Sequence, residues 1–346
     1  MERWKDGKMK SNFVKIFTAA LILIFSSIVG GCIGDSADSG EKSVAVCFPN
    51  TTPSWQRNGD SLKKLLEDEN FTVNIQFAGD VNQQKSQVAE AIETKPKCLV
   101  VGAIDSAAFA ETLEKAKEYN IPVIAFDRII MGTDAVSYYA SFDNDAIGEG
   151  MGLYIEAALN LKSGAGPFNI ELFAGGPSDN NAHIFFSQTM KILEPYFRSG
   201  QLVCQSGQKD FNSCAVADWN SANARPRIQK ILAQNYADKT LNVVLSPNDD
   251  IAGVIIDEIQ KAGKPPVLIS GLDGDPAAYE RIKAGLQTFT INKDPDVLTV
   301  KCVRMIKAVV EGTQPDINDV STYNNGVITV PAYLCTPQII DKTNVK

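Results

Sequence analysis

Charged, amide and aromatic side chains follow the apolar, strand-like runs of this sequence with unusual regularity. In open parallel α/β sheets, ligands bind outside the carboxyl ends of the strands, so residues just after each run are candidates for one shared site. Trp219 joins them because it directly precedes a helical stretch. The other candidates are Trp55, Arg57, Asp105, Asp127, Arg128, Asn180, Asn181, Asn248, Asp273 and Lys293.

These residue types match the surface of a monosaccharide. Sugar hydroxyl groups donate and accept hydrogen bonds at once, so carboxylates accept, Arg and Lys donate, and amides do both. A planar Arg or Asn side chain can span two adjacent hydroxyls. The apolar faces of the ring pack on aromatic planes, which Trp55 and Trp219 supply. Asp and Asn also cap helices that follow strands, but their repetition at so many strand ends favours a binding site.

The sequence gives little support to a His-dependent catalytic site, a metal site, a redox site or a nucleotide-binding site. The sequence has a single histidine, His183, and no Cys-x-x-Cys pair, which argues against His-dependent catalysis, zinc and a redox dithiol. No nucleotide-binding glycine motif follows the first strand-like run. Gly148, Gly150 and Gly152 lie inside a predicted helix, where they fit close helix packing. We therefore predict no cofactor and no metal.

Glycoside hydrolysis is the one enzymatic rival. Asp127, Asp179 and Asp273 could in principle supply the paired carboxylates that this reaction uses. The nearby Arg and Lys residues would keep these carboxylates ionised, whereas a catalytic acid needs a raised pKa. We therefore expect binding without catalysis.

Strand-like runs alternate with amphipathic helical stretches through most of the chain, which predicts an α/β fold with parallel sheets. Nine short runs rich in Val, Ile and Phe suit strands that are covered on both faces. At about 100–200 residues per domain, the length predicts two domains. The first α/β half is expected to end near Asp143–Asp145.

The amino terminus has the features of an export signal. Five basic and two acidic residues precede and enter the apolar run 13–29, which is followed by Gly30, Gly31 and Cys32. This pattern resembles the lipobox of bacterial lipoproteins, which implies removal of residues 1–31 and acylation of Cys32. An uncleaved membrane anchor is the alternative. Both interpretations place residues 42–346 outside the cytoplasm, and residues 32–42 read as a flexible tether.

The net charge limits which binding partners are expected, and the positions of the cysteines indicate which thiols could pair. The net charge of −8 argues against nucleic acid and against direct binding to anionic lipid, so membrane contact is expected through the lipid anchor only. Cys204 and Cys214 flank the polar segment 205–213, which leaves open a disulfide that closes this loop. Cys47 and Cys98 lie in apolar runs and are expected to be buried thiols.

Several segments resemble the xylose-binding and multiple-sugar-binding proteins of bacterial ABC transporters, which are type I periplasmic binding proteins. The likeness covers essentially all of the chain after the signal. It is densest in residues 125–128, 166–173, 178–182, 246–249, 271–273, 323–326 and 330–334.

The resemblance implies two Rossmann-like lobes joined by three hinge segments. The first lobe would contain residues 43–146 and 294–322, and the second residues 147–293 and 323–346. The chain would cross between them near Asp143–Ile147, near Lys293 and near Ser321–Asn325.

The resemblance also assigns roles. Trp55 and Trp219 would sandwich a pyranose, and Asp127 and Arg128 would bind it from the first lobe. Asp105 matches the family less closely, and Arg57 and Asn180 are added as neighbours. The second lobe would contribute Asn181, Asn248, Asp273 and Lys293. The Trp-Gln sequence at Trp55 resembles the xylose-binding proteins and favours xylose or a glucose-like aldopyranose, whereas residues 166–173 resemble the multiple-sugar-binding proteins more.

The implied protein is a monomeric, extracytoplasmic lipoprotein that captures a monosaccharide between closing lobes and delivers it to an ABC permease. A sensor that presents its closed form to a chemoreceptor or sensor kinase is the alternative, and nothing in the sequence separates the two.

Overall fold

The computed structural model describes residues 42–346, so the expected signal segment, Cys32 and most of the tether lie outside the described residues. The described chain alternates strands and helices, because apolar β-branched runs and amphipathic stretches succeed each other along it. The strands are β1 (Ser43–Pro49), β2 (Thr72–Ala78), β3 (Cys98–Val101), β4 (Val123–Phe126), β5 (Val136–Phe142), β6 (Phe168–Leu172), β7 (Leu202–Val203), β8 (Val243–Leu245), β9 (Leu268–Ile269), β10 (Leu272–Asp273), β11 (Phe289–Asn292), β12 (Ala332–Cys335) and β13 (Gln338–Asp341).

Helices connect most of these strands. They are α1 (Pro53–Glu67), α2 (Val81–Glu93), α3 (Ala110–Glu118), α4 (Asn144–Ala158), α5 (Asn180–Ser199), α6 (Phe211–Cys214), α7 (Ser221–Asn235), α8 (Asp249–Lys261), α9 (Pro276–Lys283) and α10 (Pro295–Val310). Short 3-10 turns occur at Leu161–Ser163 and Ala217–Trp219. None of the helices among residues 42–346 is long and apolar enough to cross a bilayer.

A six-stranded parallel sheet forms the first block, in the order β12-β5-β4-β3-β1-β2. Its central strands β3 and β4 are buried at every position, as expected for strands covered by helices on both faces. All its strands run in one direction, so their carboxyl ends share one edge, and the turns after β1, β3 and β4 lie side by side.

The second block combines a parallel sheet, β7-β6-β8-β9, with a smaller sheet, β10-β11-β13. The segment Leu268–Asp273 links the two, because its first half pairs with β8 and its last two residues pair with β11. The last strand, β13, runs antiparallel to β11. An α/β architecture with parallel sheets, as the sequence predicts, is therefore present.

The carboxyl-terminal segment departs from the expected lobe boundaries. Residues 323–335 were expected in the second lobe, yet β12 pairs with β5 in the six-stranded sheet. The Asn325 side chain fixes this placement by donating to the backbone carbonyls of Ile130 and Thr133 at 3.1 and 2.6 Å. Only β13 joins the second block, so the third crossing lies between β12 and β13 and not at Ser321–Asn325.

Close helix packing connects the start of α4 to α5. A Cβ atom on Gly148 would lie 2.6 Å from the carbonyl oxygen of Phe185, and one on Gly152 would lie 2.8 Å from Ile192. Gly150 has only ordinary contacts around it. The expectation of packing glycines is thus confirmed for Gly148 and Gly152.

The disulfide between Cys204 and Cys214 that the sequence left open is not formed, and both thiols are free. Each thiol instead donates to the carbonyl oxygen of Gln208, at 3.5 and 3.3 Å. The loop is thus closed around a backbone carbonyl, which satisfies both sulfur atoms without a covalent bond. Cys47 and Cys98 are fully buried, as expected, and burial raises the pKa of each thiol to about 12.

Candidate functional site

A cavity of about 700 Å³ lies where the carboxyl ends of the strands of both blocks face each other. Ten of the eleven predicted binding residues line it. The exception is Asn180, the first residue of α5, whose backbone N–H donates to Ser106 Oγ while its side chain lies outside the cavity lining. The residues that the sequence assigns to one site are therefore brought together, with this one correction.

Trp55 lies in the first turn of α1, which begins at Pro53. Its ring is only 7% exposed and packs against Phe48 and Phe126, with centroid distances of 5.1 and 6.2 Å. Gly102 permits this position, since a Cβ there would approach the indole to 2.8 Å. Trp55 thus forms a fixed aromatic wall on the side of the six-stranded sheet.

Trp219 is held by an unusual backbone and by contacts with glycine. Asp218 and Trp219 both adopt positive φ angles, 58° and 55°, which L-residues rarely do. The indole lies on Gly175 and Gly176, where any Cβ atom would collide with it. Its Nε1–H donates to Asp179 at 3.1 Å. The second block therefore presents its own oriented aromatic ring to the cavity.

Asp179 connects the two halves of the site. This buried N-cap residue of α5 receives a hydrogen bond from Trp219 and forms an ion pair with Arg128 Nε at 2.9 Å. Burial raises the pKa of the Asp179 carboxyl, and the Arg128 guanidinium opposes that rise. The Arg128 guanidinium also lies 5.5 Å from the Trp55 ring centroid. One carboxylate thus orients a cation and a ring that reach the cavity from opposite blocks.

Asp127 follows β4 in the left-handed conformation, with φ of 60°. Its carbonyl oxygen accepts hydrogen bonds from Tyr139, Ser141 and Asn181 at 2.7, 2.9 and 2.8 Å. These three donors hold the strained backbone in place. Its carboxylate faces the cavity and lies 2.6 Å from Lys293 Nζ.

Lys293 and Asp273 extend the same charge network. Lys293 Nζ lies 4.0 Å from the carboxylate of Asp273, another residue with positive φ. Burial raises the pKa of Asp273 to about 6, and Lys293 limits the rise. Burial also lowers the pKa of Lys293, but Asp127 and Asp273 outweigh it and keep that pKa above its usual value. The pair offers a sugar an ammonium donor beside carboxylate acceptors.

The side chains of Asn181, Asn248 and Asp105 also form hydrogen bonds within the protein. Asn181 is buried, and its Oδ1 accepts from Asn144 at 3.0 Å while its Nδ2 donates to Asp127. Asn248 caps α8 through Oδ1, which leaves its Nδ2 without a partner among residues 42–346. Asp105 Oδ1 accepts the backbone N–H of Ala107. Of these residues, Asn248 has the donor most available to a ligand.

Arg57 is committed to another protein group. Its Nη2 lies 3.1 Å from Asp275 Oδ1, so the side chain spans the cavity mouth from α1 to the start of α9. The buried Asp249 carboxylate supports the far end by accepting the backbone N–H groups of Gly274 and Asp275 at 2.9 and 3.0 Å. Arg57 therefore lines the cavity as one half of a clasp between the blocks.

The structure adds five lining carboxylates to the predicted set, which are Asp80, Asp179, Asp218, Asp250 and Asp275. Asp179 and Asp250 lie just after strands β6 and β8, so the strand-end rule already pointed to their neighbourhood. The candidates chosen from the sequence were their neighbours Asn180, Asn181 and Asn248 instead. Asp275 shows no such signal, because its role depends on pairing with Arg57, 218 positions away.

The residues that line the site are suited to binding a polar ligand. In residues 42–346 no group of three or more His, Cys, Asp or Glu side chains is arranged to hold a metal ion. The lining offers aromatic faces, carboxylates, an amide and paired cations. This set can satisfy a ring that carries several hydroxyl groups.

Comparison with known sequences identifies relatives over most of the chain. A family model described as a periplasmic binding protein domain matches residues 44–314. The multiple sugar-binding periplasmic receptor ChvE of Rhizobium radiobacter is 38% identical over 317 residues, which cover 89% of each chain. The D-xylose-binding periplasmic protein of Escherichia coli K12 is 32% identical over 294 residues, 84% of each.

Solved structures with the same architecture contain bound sugars. An ABC transporter solute-binding protein from Clostridium phytofermentans with bound β-D-glucose superposes with a TM-score of 0.86 at 38% identity, covering 88% of this chain and 95% of the other. A carbohydrate transporter solute-binding protein from Chloroflexus aurantiacus in complex with D-glucose gives 0.79 at 28% identity, covering 87% and 93%.

Proposed function

This chain belongs to the periplasmic binding protein family, and on that premise we propose that it is an extracytoplasmic receptor for a monosaccharide. The expected ligand is xylose or a glucose-like aldopyranose. The receptor would close on the sugar and deliver it to an ABC permease. The relatives that bind xylose, glucose and several sugars support this ligand class.

The observation that carries the proposal is the convergence of Trp55, Asp127, Trp219, Asp273 and Lys293 on one cavity. The rings come from different blocks, while the carboxylates and the ammonium group lie between the blocks. An aldopyranose presents two apolar faces and a polar equator, which is the complement of this arrangement. Each hydroxyl left unpaired in a closed site would cost about 1–3 kcal/mol, and that cost would provide specificity.

We propose that the two blocks act as lobes that close on the ligand. The first would comprise the six-stranded sheet with α10, and the second the remaining two sheets. The clasp between Arg57 and Asp275 and the pair between Arg128 and Asp179 join residues of the two blocks, which supports a closed arrangement. Hinge closure is established for periplasmic binding proteins in general.

Catalysis is the weaker proposal. The family consists of solute-binding proteins, and the lining carboxylates Asp127 and Asp179 are each paired with a cation. Burial raises the pKa of Asp179 and of Asp273, contrary to the expectation from the nearby cations, and these two shifts favour a glycoside hydrolase. Release of nitrophenol from aryl glycosides would identify such an enzyme, and we expect none.

Cellular placement is also part of the proposal. Acylation of Cys32 would anchor the protein to the membrane, with residues 32–42 as a tether, and the binding unit would work as a monomer outside the cytoplasm. A sensory output through a chemoreceptor or sensor kinase would use the same closed form. Sugar uptake by cells lacking the protein distinguishes the two outputs, since only a transport role predicts slower uptake.

A thermal-shift titration tests the binding proposal. The panel is D-xylose, D-glucose, D-galactose, L-arabinose and D-ribose, because a ligand of the folded state raises the melting temperature by mass action. At a hundredfold excess over Kd the expected stabilisation is about 2.7 kcal/mol. We expect D-xylose or D-glucose to give the largest shift. Unchanged melting across the whole panel would remove the basis for the proposal.

A further inference from the structure

Every cationic side chain in the cavity already has an anionic partner. Within the described residues, the cavity lining holds three such side chains, and each contacts a lining carboxylate. The pairs are Arg57 with Asp275 at 3.1 Å, Arg128 with Asp179 at 2.9 Å and Lys293 with Asp127 at 2.6 Å. A ligand anion would therefore have to compete with a carboxylate of the protein for each cation.

The lining also carries carboxylates with no cationic contact. Among residues 42–346, Asp80, Asp105, Asp218 and Asp250 line the cavity and lie within ion-pair distance of no Lys or Arg. Asp218 and Asp250 are exposed and contribute negative charge at the second block, although the Arg281 guanidinium, which lies outside the lining, interacts with Asp250. The lining as a whole is therefore anionic beyond the charge that its three cations offset.

The two observations together bear on ligand charge. A carboxylate or phosphate on the sugar would meet neighbouring like charges, and such juxtaposition suppresses binding of the wrong partner. An uncharged hydroxyl needs no free cation, because N–H groups of a paired Arg or Lys still donate and the carboxylates accept. An ammonium group on the sugar would meet carboxylates.

We propose that the cleft accepts uncharged and cationic aldoses and rejects anionic ones, such as uronates and sugar phosphates. This inference rests on the proposed function and adds charge selection to it. Asp218 and Asp250 are the specificity-determining residues, because they add negative charge to the cleft without pairing with any of its three cationic side chains.

The test compares three sugars that share one ring and differ only at C6. They are D-glucose, 6-amino-6-deoxy-D-glucose and D-glucuronate, which are neutral, cationic and anionic at pH 7.5. Calorimetric titration at low ionic strength is expected to give a Kd for D-glucuronate at least tenfold weaker than that for D-glucose. The Kd of the amino sugar should be closer to that of D-glucose than the Kd of D-glucuronate is. Added salt should narrow the difference, because it screens exposed charges over about 8–10 Å.

Variants attribute the selection to particular residues. The double substitution Asp218→Asn and Asp250→Asn should lower the ratio of the D-glucuronate Kd to the D-glucose Kd at least threefold. Asp238→Asn is the matched control for each single substitution, Asp218→Asn or Asp250→Asn, because Asp238 is exposed, lies outside the cavity lining and also loses one negative charge. The ratio should not change in that control.

The outcomes separate the two proposals. If D-glucose binds and D-glucuronate binds within threefold of it, charge selection is wrong and the sugar-receptor function stands. An equal change of the ratio in Asp238→Asn would show that net charge, and not the cleft residues, is responsible, which also overturns the assignment. If no neutral aldose of the panel binds, the proposed function fails and this inference fails with it.

Discussion

At the residue scale, the site is built on backbone conformations that most residues avoid. Asp127, Trp219 and Asp273 all have positive φ angles, between 55° and 96°, and all line the cavity. Such strain persists where surrounding contacts impose it, as the three donors to the Asp127 carbonyl do. Clustering of strain in the cleft is typical of a functional site.

Residue types, positions at strand ends and the family resemblance were sufficient to select eleven candidates, ten of which line the cavity. They did not reveal which atoms the protein itself uses, because that depends on contacts between residues distant in sequence. Asn181 lines the cavity as predicted, yet its amide is bonded to Asn144 and Asp127. Arg57 lines it too, but it pairs with Asp275.

Replacing Trp219 by Ala should weaken binding of D-xylose and D-glucose at least tenfold, which corresponds to about 1.4 kcal/mol. The substitution removes the aromatic face and leaves Asp179 without one of its donors. Trp219→Phe keeps a ring and should retain most of the affinity. Calorimetric titration measures both, and full affinity in the alanine variant would mean that the ring does not stack on the sugar.

At the element scale, the nine strand-like runs all correspond to strands, because short runs of buried β-branched residues are a strong local signal. The strands that the sequence did not indicate, β7, β10, β12 and β13, have two to four residues each. Such short strands are defined by their partners rather than by their own pattern. The wrong lobe assignment of residues 323–335 has the same cause, because pairing of β12 with β5 determines which block they join.

The ion pair between α1 and the start of α9 allows a test of whether Arg57 stabilises the closed arrangement or contacts the sugar. Arg57→Ala should weaken binding of D-xylose and D-glucose by the same factor of about 2–5, because a partly exposed ion pair contributes about 0.2–1 kcal/mol. Lys63→Ala on the same helix is the control, because Lys63 pairs only with Glu67 on an exposed surface. A changed preference between the two sugars would show that Arg57 contacts the ligand, as the sequence suggested.

Asp249 links α8 to the loop that carries Asp273 and Asp275, and it predicts a pH effect on stability. Burial raises the pKa of Asp249 to about 7, although backbone N–H groups, Gln287 and Thr290 donate to it. In the unfolded chain the pKa is about 3.9. The folded protein therefore holds this proton more tightly, and the stability it contributes is lost as pH rises from about 4 to about 7.

Asp249→Asn removes this titration. The loss of unfolding free energy caused by the substitution should be about 2 kcal/mol larger at pH 5 than at pH 8. Urea unfolding of both proteins at the two pH values measures it. A loss of unfolding free energy that is the same at both pH values would show that Asp249 does not titrate in this range.

At the scale of the whole molecule, two blocks meet at one cavity and share hydrophobic packing. A single cluster of buried side chains contains residues of both, including Phe48 and Phe126 from the first and Ile170 and Leu245 from the second. Family membership explains why the sequence specified this architecture so fully, since the relatives cover nearly 90% of the chain. What the sequence could not give is the pattern of contacts across the cleft, which depends on how the blocks meet.

The most direct test of the central claim is a crystal structure of residues 42–346 grown with D-glucose and, separately, with D-xylose. We predict a pyranose ring between Trp55 and Trp219, with hydroxyl groups within hydrogen-bond distance of Asp127, Asp273 and Lys293. A sugar bound elsewhere on the molecule, or a cleft that stays empty at saturating sugar, would contradict the account.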